Sequence, residues 1–161
     1  MRFAVKSAVC LVIFLGAVAP RGCRRSRPAR PRVTINQRSW QVELATTPQQ
    51  HRRGLAGRSQ ISPEEGMLFV FPRAKPLRFW MKGCLVDLDI AFIGPDMRVV
   101  AVRTMRAGAD RGNYVTYSSV HPAQYALEVR AGGLAAAGVR TGHSAQFSAE
   151  IPSAAKAAAD P

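Results

Sequence analysis

Cysteine is too scarce in this chain to staple a fold. Of the three cysteines, Cys10 lies inside an N-terminal apolar run and Cys23 just after it, so Cys84 is the one thiol left to a folded domain. An internal disulfide is excluded there, an oxidising compartment is permitted but not required, and stability must come from core burial. A long apolar run is lacking too. The run Ala8 to Ala19 falls short of the roughly 20 residues that a bilayer-spanning helix needs. The phosphate loop, the nucleophile elbow and the dinucleotide fingerprint are absent. His51, His121 and His143 lie on separate segments without metal-ligand spacing, which argues against a zinc site. Acid is missing from the head of the chain. Residues 1–32 hold eight of the 23 Lys and Arg residues and none of the ten acids, so much of the formal net charge of +13 belongs to that segment. The high pI therefore says little about the partner of whatever follows. A basic stripe interleaved with aromatics is missing from the remainder, and no nucleic-acid partner is expected.

What is present suits a single domain with a packed core, since 47% of the residues are hydrophobic. Met1 to Lys6 is a short basic start, and the apolar run that follows has the length of a secretory h-region. Residues 1–20 are read as a signal or anchor segment. Cleavage after Ala17-Val18-Ala19, acylation of Cys23 in a degenerate lipoprotein box, and retention as an anchor all stay open. Residues 21–32, with Pro20, Pro28 and Pro31 among arginines, form an extended linker with nothing to bury. The arginines after the apolar run oppose translocation, but they also suit anionic headgroups beside an apolar anchor. The expectation is an extracytoplasmic, secreted or membrane-attached domain, held to the membrane through its N-terminus.

The domain is expected over residues 33–151. Val33-Thr34-Ile35 and Trp40 to Leu44 alternate with period two around a turn at Asn36 to Ser39, which predicts a hairpin. Thr47-Pro48-Gln49-Gln50 starts a helix: Thr47 caps, Pro48 suits the first position, Gln50 completes a capping box, and Gly54 or Gly57 ends it. Ser62 to Glu65 repeats that capping chemistry for one turn before Gly66. Met67 to Phe71 is apolar on both faces, as a central strand is. Pro72 to Pro76 reads as a loop. Strands are expected again in the stretch Arg78 to Ile93, over Val99 to Met105, over Tyr125 to Arg130 and from Ser144 to Ile151, with one alanine-rich helical turn between Gly132 and Gly138. Residues 152–161 read as a disordered tail. Seven or eight short strands and one real helix predict a mainly β (α+β) domain, a compact barrel or rolled sheet.

Arg53-Gly54-Leu55, Glu65 to Phe71, Phe79-Trp80-Met81-Lys82, Leu88 to Phe92 and Tyr125 to Val129 with Ala131-Gly132 stand in the order and spacing of one family. Over roughly residues 40 to 148 the chain resembles the bacterial and archaeal domain of unknown function 192. The resemblance implies a small, mostly β domain, often behind a signal or lipoprotein leader, and no established activity. The chain departs from the family pattern at several points. Gly83 and Cys84 replace an Asn-Thr pair after the Trp-Met-Lys, Asp87 replaces a proline, Ala56 a methionine, and His143 an aspartate.

Candidate chemistry follows from residue type and position. Trp80, flanked by Arg78 and Lys82 on the face opposite Phe79 and Met81, is a platform for an anionic or sugar-like ligand, with Arg53 as a further contact. Asp87 and Asp89, two apart on a strand, are an oxygen pair for Ca²⁺ or acid–base work; Asp89 is alternatively a hydrogen-bond acceptor for backbone amides at a turn. Glu128 is expected to pair with Arg53 or Arg103, against the alternative of a buried carboxylate in a pocket. Cys84 beside Lys82 is a nucleophile by pKa or a small space-filler. The leading expectation is a non-enzymatic binding module for a small anionic or sugar-like ligand, without cofactor or metal. The alternatives are a hydrolase using Asp89 and Glu128, and an envelope scaffold whose partner is another envelope protein.

Overall fold

The computed structural model describes residues 30–108 and 115–152. The leader, Cys10, Cys23, most of the linker and nearly all of the tail lie outside the described residues. The chain forms β1 (Arg32–Ile35), β2 (Arg38–Ala45), α1 (Pro48–Arg53), β3 (Glu65–Trp80), β4 (Leu88–Ile93), β5 (Val99–Met105), β6 (Thr116–Arg130), α2 (Gly133–Ala136) and β7 (Ala145–Phe147). It is the mainly β rolled sheet that the strand pattern predicts. The seven strands make one sheet in the order β5-β4-β6-β3-β2-β1-β7. Only β2 and β3 are parallel, and α1 lies in their crossover. None of the described helices is long and apolar enough to cross a membrane.

Local chemistry explains the first elements. Asn36 and Gln37 both take positive φ, 48° and 68°, which gives the two-residue turn whose twist matches a hairpin and pairs Ile35 with Arg38. The turn is two residues shorter than the Asn36 to Ser39 expectation, because Arg38 and Ser39 already belong to β2. In α1, the Gln50 amide donates to the Thr47 hydroxyl, while Gln50 Oε1 accepts from the Thr47 and Thr46 amides. This is a full capping box, with Pro48 at the first position and Gly54 at the C-cap. Ser62 to Glu65 makes a hydrogen-bonded turn, not a helix, because β3 begins at Glu65 and pairs at once with Gln41.

The sheet carries a core on each face. On one, Val33, Ile35, Trp40, Val42, Leu68, Val70, Ala91, Ile93, Leu127 and Val129 pack beneath α2 through Leu134. On the other, Met67, Phe69, Leu88, Ile90, Phe92, Ala101 and Ala126 are covered by Leu55 and Ile61, by the far half of β3 itself through Leu77, and by Met81 just after it. That cover corrects the reading of Pro72 to Pro76 as a loop. The segment belongs to β3, whose ladder with β6 shifts register between Val70 and Lys75 and again between Pro76 and Arg78. Prolines sit at such bulges because the ladder there asks for no amide. The ribbon can then bend back over its own first half. Burial on both faces also explains why all six residues of β4 are buried and why β6 is buried continuously from Tyr125 to Val129 in place of the alternation expected of Tyr125 to Arg130.

At the other end, β7 is only three residues long, because Ser148 and Ile151 are drawn into a turn. An isolated bridge between Arg98 and Ser144, with Val99 N–H donating to His143 O and Ala145 N–H to Met97 O, ties the β5 side of the sheet to the β7 side. The sheet is rolled because its two edges meet there.

Gly66 sits where β3 leaves no room for a side chain against β6. A Cβ on it would lie 2.5 Å from the Glu128 carbonyl oxygen and 3.0 Å from Val129 Cγ1. Gly66→Ala is expected to force the two central strands apart and to cost about 2–3 kcal/mol, read as a lower midpoint with unchanged slope in urea unfolding.

Candidate functional site

The bend of β3 leaves a cleft of about 510 Å³ between the returning ribbon and α1. Its walls are aromatic. Phe79 meets Phe69 edge-on with centroids 4.9 Å apart, and the His51 ring lies 4.4 Å from that of Phe71. Strand alternation past the second bulge turns Leu77 and Met81 inward and leaves Arg78, Trp80 and Lys82 exposed, with Trp80 44% exposed. Helix α1 contributes its last turn. It exposes Arg52 and Arg53, and it holds His51 by an Nε2 hydrogen bond of 2.9 Å to the Ala45 carbonyl. Burial keeps the His51 pKa below its ordinary value, and the ring is uncharged at neutral pH.

The structure thus brings all four of the binding residues named from sequence, Arg53, Arg78, Trp80 and Lys82, to one cleft, and adds Arg52, Lys75, Cys84 and Thr116. Lys75 reaches over the Phe71 ring at 5.9 Å. Sequence reasoning missed His51, Phe69 and Phe71 as members of this site. The signal for His51 was its position one turn before Gly54 in a capped helix; nothing local signals that Phe71 faces a cavity.

Glu128 is the one acid of the cleft among the described residues. In the ladders it stands opposite Met67 on β3 and Ile90 on β4, both buried, and it is itself 4% exposed. The expected ion pair is absent among the described residues. Arg103 lies beyond Ile90 in the same row, two strand spacings or about 10 Å away, and donates to the Val102 carbonyl. Arg53 lines the cleft and forms no ion pair among the described residues. Burial with no compensating charge pushes the Glu128 carboxyl up to about 8. It is a neutral acid at pH 7, able to donate through O–H and to accept through C=O. Gly54 brings the main chain over it. With φ 48° and ψ −136°, a Cβ there would lie 3.3 Å from Phe69 Cζ and 3.7 Å from Glu128 Oε2. The Arg53-Gly54-Leu55 turn needs glycine because few L-residues adopt that backbone and the space is filled.

The aspartates belong elsewhere. Asp89 pairs with Val129 and Ile90 with Glu128, so the carboxylates of Asp89 and Glu128 project from opposite faces of the sheet. Asp89 is buried with both oxygens hydrogen-bonded, accepting from Thr104 Oγ1 at 2.8 Å and from the Leu134 amide at 3.1 Å. It anchors α2 against β4. Asp87 accepts from the Ala107 amide and from Arg106, and these two lower its pKa in that order. The Asp87–Asp89 oxygen pair is therefore committed to protein donors, and among the described residues no three His, Cys, Asp or Glu groups converge on a metal-sized space. Cys84 is half-buried against the outer core at the edge of the cleft, its amide closing a turn to Met81.

The sequence matches the family described as DUF192, an uncharacterized ACR, over residues 31–147. The chain belongs to the DUF192 family. Among solved structures, a Sinorhizobium meliloti protein, provisionally assigned as a transcription regulator, is 32% identical with a TM-score of 0.66, over 74% of this chain and 94% of that one. A Novosphingobium aromaticivorans protein of unknown function is 28% identical with a TM-score of 0.64, over 71% and 83% of the two chains. No curated protein matches. Two departures of this DUF192 domain from the family pattern turn out to be neighbours. A Cβ on Gly83 would stand 3.4 Å from the Ala56 Cβ, and Gly57 N–H donates to Gly83 O at 2.8 Å. Small residues at both positions let the two loops beside the cleft touch through their backbones.

Because the folded state holds the Glu128 proton more tightly than the unfolded chain, its contribution to stability is complete below the unfolded value near 4.5 and falls as pH rises toward about 8. The loss is on the order of 1 kcal/mol per pH unit across that window. Thermal unfolding of the wild type is expected to shift steadily downward from pH 5 to pH 8, and Glu128→Gln is expected to flatten that slope.

Proposed function

We propose that this DUF192 domain is a non-enzymatic binding module of the cell envelope that holds a small anionic or sugar-like ligand in the cleft between α1 and the returning arm of β3. One observation carries the reading: among the described residues five cations, Arg52, Arg53, Lys75, Arg78 and Lys82, surround an aromatic cavity whose one acid, Glu128, is uncharged at neutral pH. An anion entering meets attraction at the rim and an uncharged acid within. Trp80 offers an indole face on which a ring can stack. A hydrolytic pair of Asp89 and Glu128 is opposed by their placement on opposite faces of the sheet. The provisional assignment of the Sinorhizobium meliloti protein points to DNA, but a concave, aromatic-lined cavity favours a small ligand over a duplex.

An extracytoplasmic or membrane-attached setting is part of the proposal. It rests on the basic start and the apolar run Ala8 to Ala19. Mass spectrometry of the mature N-terminus distinguishes cleavage after Ala19, acylation at Cys23 and retention.

Thermal-shift screening against small anions and glycans is expected to yield a stabiliser worth ~2.7 kcal/mol at a hundredfold excess over its Kd. Trp80→Ala and the double change Arg78→Ala, Lys82→Ala should each abolish the shift, while far-ultraviolet circular dichroism of the unliganded variants keeps the β signature of the wild type, because none of the three belongs to the buried core. Stabilisation that survives both variants would place the ligand elsewhere.

A further inference from the structure

We infer that Glu128 is the floor anchor of the cleft and selects acidic sugars, its carboxylic acid exchanging hydrogen bonds with ring hydroxyls while the ligand's anionic group rests on Arg53 and Arg78 at the rim. The inference depends on the binding reading above and names the ligand class.

The argument begins with what a ligand must satisfy. Glu128 is buried between Met67 and Ile90 and has no protein partner for either oxygen among the described residues. A wholly apolar ligand would seal it off still unsatisfied. A bare phosphate or sulfate at the floor would meet one O–H donor among hydrocarbon and would lose the rest of its hydration. A hydroxyl-bearing ring suits the floor better, since each hydroxyl both donates and accepts, as the neutral carboxyl does. The half-exposed Trp80 indole supplies a stacking wall for such a ring. The exposed guanidinium groups of Arg53 and Arg78 can grip a carboxylate or phosphate carried on the ring, where it keeps part of its water.

Glu128 remains a neutral acid up to about pH 8. Other groups face the same space. Helix α1 supplies His51, Arg52 and Arg53; β3 and the turn after it supply Lys75, Arg78, Lys82 and Cys84. Along the ladder row lie Arg103 beyond Ile90 and Glu43 beyond Met67, and Glu43 is engaged by Arg58 at 2.6 Å. On its own strand, Arg130 is two residues on. Ionising Glu128 places a negative charge at the floor and removes its donor, so affinity for an acidic sugar falls as pH passes 8. At pH 9.5 the loss is about thirtyfold if the ionised form does not bind.

The experiment is titration calorimetry on the full chain with D-glucuronate, D-glucose, inorganic phosphate and benzoate, at pH 6.5 and 9.5. Glucuronate is expected to bind at least tenfold more tightly than glucose or phosphate at pH 6.5 and to weaken by at least tenfold at pH 9.5. Glu128→Gln, which keeps a donor and an acceptor, should bind glucuronate within a few-fold of wild type and lose the pH dependence. If that variant fails to fold, the wild type alone decides. Titrations at pH 8 in buffers of different ionisation enthalpy should show net proton uptake on binding. Glucuronate binding that is equally tight at both pH values, or that takes up no proton, overturns the assignment of Glu128. Benzoate binding without glucuronate overturns the sugar class and leaves the anion-binding cleft standing. Binding of none of the anions overturns both.

Discussion

The ladder between β3 and β6 is the constraint on which the other parts of this domain depend. From Gly66 to Val70 it runs straight through the middle of the sheet, with Gly66 pressed against the Glu128 carbonyl. Then its register shifts, and the same two strands turn back over the face they have just helped to build. A sheet folded on itself in this way has two cores for its length and needs no second layer of helices. The cleft is a by-product of that fold-back: the arm cannot lie flat against the sheet where Phe79 stands edge-on to Phe69, and the gap opens toward α1.

The charge pattern of the site follows from the same geometry. Past the bulge, alternation sends Leu77 and Met81 down into the outer core, so Arg78 and Lys82 stand on the opposite, exposed side at the cleft mouth. Glu128 belongs to the straight half of the ladder, where every neighbour in its row is apolar or two strands distant. Cations and acid are therefore held at different depths, and neither neutralises the other. A buried carboxyl kept neutral by its surroundings lowers stability at higher pH, and it persists here opposite the glycine turn that seals one side of it.

Much of this was legible in the residues. The Thr47 cap, the Asn36 turn, the alternation around Trp80 and the both-faced burial of Met67 to Val70 are properties of neighbouring positions, and the chain obeys them. What was not legible depends on register between strands far apart in sequence. Whether Asp89 and Glu128 share a face is decided by which residue of β4 stands opposite Glu128, and a slip of one would reverse the answer. The absence of an arginine beside Glu128 is likewise a fact about β5, placed two strands away. The prolines of Pro72 to Pro76 misled for a different reason: proline marks a place where the ladder is interrupted, and an interrupted ladder can be the middle of a strand as well as its end.

Helix α1 buries none of its residues. Its six residues are held by the capping box at one end, the Gly54 amide to the Gln50 carbonyl at the other, and the His51 bond to Ala45. Such an element can melt at small free-energy cost while the sheet beneath it stays intact. The wall that presents Arg52 and Arg53 is accordingly the first part of the site to open, and its backbone amides should exchange with solvent far faster than those of β3 opposite.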